Sequence, residues 1–250
     1  VPHGPIELKS GDIHLWRADL SVEGTSALPA LERTLSAEEL AKAGRFGSER
    51  DRNRYIFAHG ALRTILATYL KTTPGTPVFR YGPNGKPELA NGAHDVVRFN
   101  MSHSDDLVLC AISHAGHVGV DVERVRPGVE KDLAALLPPT ARQVLEAVPP
   151  AARQRAFFQG WTRMEAYSKA RGEGLDWGLE TFEVFLREHP RRWCLHDFSP
   201  GRGYVGALAT RRGKCRIGYW KWQAAEMGDS AKTSAGQAQR SGFQVSRGVA

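Results

Sequence analysis

Apolar and polar residues alternate with two different periods along this chain, and the period switches mark its elements. In "RDRNRYIFAHGALRTILATYLKT", Ile56, Leu62, Ile65, Leu66, Tyr69 and Leu70 recur at helical spacing, so a helix is expected to run to about Thr72, ahead of Pro74. A second helix is expected from near Ala151 to about Ala170, stopped by Gly172 and Gly174. Ser36 followed by Glu38 and Glu39 reads as the N-cap of a shorter helix. Period-two stretches lie between and around these. "IHLWRADL" reads as an opening strand, and "LVLCAIS" and "HVGVDVE", joined by "HAG", read as a hairpin. "YGPNGKPEL" reads as a turn-rich loop and "RFNMSHS" as a turn. "TFEVFLR", "WCLHDFS", "YVGALAT" and "RIGYWKW" read as a second set of strands.

Helix-and-hairpin sets thus occur twice. The expected fold is α+β, with two similar, pseudo-twofold-related lobes, each an antiparallel sheet with a long helix, and a cleft between them holding the active site. The expected boundaries are 1–118 for the N-terminal lobe and 119–223 for the C-terminal lobe. Residues 224–250, small and polar without periodicity, are expected to be a disordered tail.

Composition narrows the setting. Of 250 residues, 41% are hydrophobic and 24% charged, ordinary for a globular protein. No stretch reaches the length of a membrane span, and residues 1–16 have neither the basic start nor the apolar run of a secretory signal. Cys110, Cys194 and Cys215 form no CxxC and no zinc spacing, which favours a reducing compartment, the cytoplasm. The formal net charge of +7 favours acidic partners, whether nucleic acid, phosphorylated small molecules or an acidic protein.

Chemistry enters at "VGVDVERV", residues 118–125. Val118, Val120 and Val122 alternate with Gly119, Asp121 and Glu123, so the two acids project from one face with Cα atoms ~6.6 Å apart. Two such carboxylates suit one hard cation such as Mg²⁺, although an exposed acidic hairpin face has the same pattern. On the second long helix, Trp161, Glu165 and Lys169 fall four residues apart and share one stripe, each step turning roughly 40°. That pattern also describes a plain solvated Glu–Lys pair. In "RFNMSHS", Ser102 and His103 can hydrogen-bond a phosphate. "GRGYVG", residues 201–206, fits GxGxxG but precedes a strand pattern, so it reads as a hairpin turn rather than a dinucleotide loop. No P-loop and no GxSxG elbow is present.

Taken in order, "FNMSHS", "VGVDVERV" and "WTRMEAYSKARGEGL" resemble the 4′-phosphopantetheinyl transferase superfamily, in its longer two-lobed, surfactin-synthetase-activating type. The resemblance runs from about Arg45 to Leu186. It implies an enzyme of holo-[acyl-carrier-protein] synthase type. Such an enzyme moves the 4′-phosphopantetheine arm of coenzyme A to a serine of an acyl or peptidyl carrier protein and releases 3′,5′-adenosine bisphosphate. It implies Mg²⁺, with Mn²⁺ as a substitute, on Asp121, Glu123 and Glu165. Glu165 and Lys169 are the implied catalytic pair. Lys169, Ser102 and His103 are implied at the coenzyme phosphates, Lys86 and Pro87 of "GKP" near the adenine end, and Lys42 and Arg54 at the 3′-phosphate. The implied partners are coenzyme A and an apo carrier protein of fatty-acid, polyketide or peptide synthesis, with no nucleic acid and no membrane. A monomer is implied, since one chain supplies both halves of the cleft. One departure is plain: Met164 stands where the family has a lysine before the helix glutamate, and Arg163 is turned about 100° away from it. Restoring the lysine is expected to leave turnover intact or improve it. A Mg²⁺-dependent nuclease and a non-catalytic carrier-binding relative are the competing classes.

Overall fold

The computed structural model describes residues 6–90, 97–114, 116–128, 137–172, 182–187, 190, 192–211, 213, 215–224, 237–240 and 244–245. The helices are α1 (Leu20–Glu23), α2 (Leu28–Glu32), α3 (Ala37–Ala43), α4 (Glu49–Leu70), α5 (Pro139–Glu146), α6 (Pro150–Arg171) and α7 (Phe182–Arg187). The strands are β1 (Asp12–Asp19), β2 (Phe79–Tyr81), β3 (Pro87–Leu89), β4 (Val97–Ser104), β5 (Leu107–His114), β6 (Val118–Arg124), β7 (Trp193–Ser199), β8 (Tyr204–Arg211), β9 (Arg216–Gln223), β10 (Gln237–Arg240) and β11 (Gln244–Val245).

The fold is α+β. One sheet has the order β10-β9-β1-β5-β4, the other β11-β7-β8-β6, and β2 with β3 makes a small hairpin. Helix α4 covers the outer face of the first sheet, where Ile56, Leu62, Ile65 and Leu66 meet Trp16, Phe99, Val108 and Ile112. Helix α6 covers the second sheet, where Phe157, Ala166 and Tyr167 meet Trp193, Val205 and Ala207. The inner faces of the two sheets pack on each other through Leu15, Leu109 and Ala111 against Val118, Val120, Val122 and Leu208. The layers therefore run helix, sheet, sheet, helix.

Local chemistry sets the helix ends. Ser36 and Glu39 form a reciprocal capping box at α3. Ser48 caps α4, which closes on Lys71 in the left-handed region. Prolines at the first positions start α5 and α6, and Gly172, at φ 72°, stops α6. Gly174 lies outside the described residues.

Several expectations change. "LVLCAIS" and "HVGVDVE" are not a hairpin: β5 pairs with β1 and β4, whereas β6 crosses to the second sheet and pairs with β8, Asp121 opposite Ala207. "RIGYWKW" does not extend the second lobe, because β9 returns to lie parallel to β1 in the first sheet, Ile217 beside Ile13. "TFEVFLR" is helical over 182–187. Its Phe182, Phe185 and Leu186 follow helical spacing, and Phe182 and Leu186 close over Gly160 of α6. "RFNMSHS" belongs to β4 rather than to a turn, and the GKP loop is framed by β2 and β3. Residues 237–240 and 244–245, expected to be disordered, pair with β9 and β7. "GRGYVG" is the β7–β8 turn, with Gly203 at φ 80°.

Candidate active site

The site begins with Gly119. A Cβ there would lie 2.0 Å from the Ala166 carbonyl oxygen and 2.4 Å from the Ala170 nitrogen, so the backbones of β6 and α6 touch where only glycine fits. This close crossing turns Glu165 and Lys169 toward Asp121. The Lys169 Nζ donates to Asp121 Oδ1 at 2.6 Å and to Ser102 Oγ at 3.2 Å, and lies 4.0 Å from Glu165 Oε2.

The facing wall is β4. Asn100, Ser102 and Ser104 alternate along it and point at β6. Asn100 Oδ1 accepts from the Val120 N–H at 2.8 Å, and Ser102 Oγ donates to Asp121 Oδ1 at 2.7 Å. Ser104 Oγ donates to Glu123 Oε2 at 2.9 Å and accepts from the Arg124 N–H at 3.1 Å. Strands β4 and β6 are the edge strands of their sheets. The two edges meet through this row of side chains, which shields both from other pairing and joins the lobes. Sequence reasoning picked out Ser102 but missed Asn100 and Ser104. Their signal was the two-residue spacing on a strand, hidden while this segment was read as a turn.

The carboxylates outnumber their cation. Asp121 is only 3% exposed, and its Oδ2 is buried without a hydrogen-bond partner. Burial raises the Asp121 carboxyl above its ordinary range despite the opposing pull of Lys169. Burial, then the charge of Asp121, pushes Glu123 up to about 7. Glu165 is raised by burial, with Lys169 pulling the other way and Asp121 adding to the rise. Among the described residues no three acidic, histidine or cysteine side chains are already gathered at metal-ligand spacing. The Lys169 ammonium stands between Asp121 and Glu165 instead. The "VGVDVERV" acids are thus not a solvated hairpin face, and Asp121 is far more enclosed than a cleft-lining residue was expected to be.

Basic side chains surround His103. His103 is open to solvent. The surrounding walls, then the charges of His59, Lys169, Arg54 and Lys42, hold it below its ordinary value. Lys42 is exposed, with Nζ 5.5 Å from the centre of the Tyr55 ring. Arg54 and Lys86 both have protein partners. Arg54 binds Asp106 at 2.8 Å and Asp105 at 3.2 Å, with Asp51 at 3.8 Å. Asp105, in the left-handed region at φ 51°, also receives Arg124 at 3.3 Å and Arg126. Lys86 donates to the Lys169 carbonyl at 2.6 Å and the Val118 carbonyl at 3.4 Å, and burial lowers it to about 8. It clasps the C-terminal end of α6, where the helix dipole favours a cation. Asn84 helps by donating to the Gly172 carbonyl at 3.0 Å. Pro87 opens β3 beside this clasp.

Comparison with known proteins bears on the same segments. The profile of the 4′-phosphopantetheinyl transferase superfamily matches residues 117–208, and that of the 4′-phosphopantetheinyl transferase N-terminal region matches 25–115. The chain is 37% identical over 223 residues to the 4′-phosphopantetheinyl transferase HetI of Nostoc sp., covering 84% of this chain and 92% of that protein. The chain belongs to the 4′-phosphopantetheinyl transferase superfamily. Two further relatives carry the same activity in their names. The transferase psf-1 of Bacillus pumilus is 31% identical over 193 residues, 73% of this chain and 81% of that one. A 4′-phosphopantetheinyl transferase of Bacillus subtilis is 29% identical over 154 residues, 62% and 67%.

Within this phosphopantetheinyl transferase, the departure at Met164 has a structural reading. Met164 is 4% exposed and packs in the core of the second lobe. A lysine there would have to bury its ammonium among apolar groups, at a cost in stability. Arg163 does not stand in for it: its guanidinium pairs with Asp197, with Nε 2.8 Å from Oδ1, and Nη1 donates to the Phe185 carbonyl at 2.9 Å.

Proposed function

We propose that this chain transfers the 4′-phosphopantetheine arm of coenzyme A to a serine of an acyl or peptidyl carrier protein, acting as a cytoplasmic monomer. The observation that carries the reading is Asp121. It is a buried carboxylate with one oxygen on Lys169 and the other without a partner, flanked by Glu123 and Glu165. Such an acidic pocket, with basic side chains nearby, would suit a divalent cation and a pyrophosphate.

In donor chemistry, though not yet in spacing, the residues suit Mg²⁺ or Mn²⁺. Asp121, Glu123 and Glu165 are hard oxygen donors, and burial and mutual repulsion favour neutralising them. When bound there, the ion supplies charge neutralisation and polarisation for the pyrophosphate. The chain's own groups account for the rest. Glu165 takes the proton of the carrier serine hydroxyl as its oxygen bonds to the β-phosphorus. The bond from that phosphorus to the bridging oxygen breaks, and 3′,5′-adenosine bisphosphate leaves. Lys169, released from Asp121, offsets the charge on the departing phosphate. Ser102, 3.2 Å from the Lys169 ammonium, and the exposed His103 would hold the phosphates. The basic balance of the chain suits both a polyanionic coenzyme and an acidic carrier.

The test is incubation with coenzyme A, Mg²⁺ and apo carrier protein, read by intact mass. The carrier is expected to gain one phosphopantetheine arm. Carrier binding without mass gain would instead indicate a non-catalytic relative, and cleavage of nucleic acid without coenzyme A a nuclease.

A further inference from the structure

Asn100, Ser102 and Ser104 join β4 to β6, and each finds its partner on β6. Arg98 stands two residues before Asn100 in the same alternation, so its side chain leaves the same face of β4. It finds no such partner. Among the described residues no acceptor takes a hydrogen bond from its guanidinium. Its Nε is buried without a partner, and Glu88 Oε1, 3.9 Å from Nη1, is beyond hydrogen-bonding distance. Glu88 is itself paired with Arg80 at 3.1 Å.

Arg98 borders a cavity of about 60 Å³ instead. Lys86 and Arg171 line the same cavity, so three cations face one carboxylate, that of Glu88. Arg171 is fixed at the wall, its Nη1 donating to the Tyr167 hydroxyl at 2.8 Å. The positive charge is felt by its neighbours. Burial lowers Lys86, and Arg98 adds to the fall while Glu88 opposes it. Burial lowers His117 at the same wall, and the charges of Arg211, Arg98 and Lys86 lower it further against its bond to the Ala170 backbone.

Size limits the ligand. At roughly 10–15 Å³ for each water, the cavity holds a few waters or one small oxyanion. Pockets that enclose small organic molecules run to roughly 300–1,000 Å³. Lys86 and Pro87 of the GKP loop form one wall, but Lys42, Arg54, Ser102, His103 and Lys169 do not line it. Arg98 lies four residues from Ser102, ~13 Å along the strand. The cavity is therefore separate from the phosphates of the proposed reaction. Its cations come from three elements rather than forking one edge, which suits a tetrahedral anion better than a planar carboxylate.

We propose that this cavity binds inorganic phosphate, held by the Arg98 guanidinium with Arg171 and Lys86 supplying further positive charge. The anion ties β4 to the end of α6, as Asn100, Ser102 and Ser104 tie it to β6.

The test is calorimetric titration with inorganic phosphate, beside thermal unfolding in millimolar phosphate and in sodium chloride of equal ionic strength. Wild-type protein is expected to unfold at a higher temperature in phosphate. Arg98→Gln is expected to bind phosphate about tenfold more weakly, the order of one hydrogen bond to a charged group, and to lose most of that gain. In chloride it should be at least as stable as the wild type, since it removes a cation from among cations. His103→Ala, altered at the expected coenzyme phosphates, should keep the gain. Should Arg98→Gln fail to fold, Arg98→Met is read in the same way. Three results would each overturn the proposal. One is a wild type that gains nothing from phosphate. Another is an Arg98 variant weakened alike in both salts, the mark of a merely structural role. The third is a gain lost in His103→Ala but kept without Arg98, which would place the anion at the coenzyme phosphates.

Discussion

Two buried carboxylates in this protein, each paired with a cation, look alike and behave oppositely. Glu39 and Arg63, each 3% exposed, meet at 2.7 Å, and Asp121, 3% exposed, meets Lys169 at 2.6 Å. Around Glu39 both oxygens are used, by Ser36, Arg63 and His59, and the carboxyl is held down to about 2. Around Asp121 one oxygen has no partner, two more carboxylates crowd in, and burial raises the group despite its lysine. A satisfied buried pair holds structure together. An unsatisfied one is kept at a cost, and that cost points to chemistry done elsewhere in the catalytic cycle.

The contrast is broken most severely at the acidic pocket. Glu165→Gln is expected to slow carrier modification by about 10³-fold, since it would remove the proposed proton acceptor while keeping the shape. Wild-type turnover in this variant, by intact-mass time course, would remove Glu165 from the chemistry. Next comes the contact that assembles the pocket. Gly119→Ala drives a Cβ into the α6 backbone and is expected to cost about 3 kcal/mol or more in denaturant unfolding, with transfer lost because Lys169 and Asp121 separate.

The satisfied pair should reveal itself through pH. Glu39 has a folded value of about 2 against an ordinary 4.5, so the unfolded chain takes up the proton first as acid is added. Its contribution, about 3 kcal/mol, is complete above pH 4.5 and lost as pH falls toward 2. Glu39→Gln should lower stability at neutral pH and flatten that acid limb. An unchanged limb would show that the pair contributes nothing. The smallest effect is expected at the seam. Ser104→Ala deprives both Glu123 and the Arg124 N–H of a partner. It should raise the Mn²⁺ concentration for half-saturation about tenfold, read by electron paramagnetic resonance.

How much of this is legible in the sequence depends on range. The helices over 49–70 and 150–171 were readable because apolar spacing and local caps fix them. The Asp121–Glu123 face and the Glu165–Lys169 stripe were readable for the same reason, each lying within one element. Pairing was not readable. Alternation marks β5, β6 and β9 as strands but says nothing of partners, and β9 finds β1 across some two hundred residues. Commitments of long side chains were equally hidden. The GKP motif points to Lys86 and a weaker similarity to Arg54, but neither shows that their partners within the protein are carbonyls and acids far along the chain. Gly119 could be seen as a gap in a valine strand, but the helix that fills the gap could not.

The account turns on Asp121 serving transfer rather than stability. Asp121→Asn keeps the side chain's size and removes its buried charge. The direct measurement is carrier modification by this variant with coenzyme A and Mg²⁺, read beside its unfolding temperature. The account predicts no phosphopantetheine added and an unfolding temperature at or above that of the wild type. Mass gain at the wild-type rate, or loss of transfer that merely follows a collapsed fold, would contradict it.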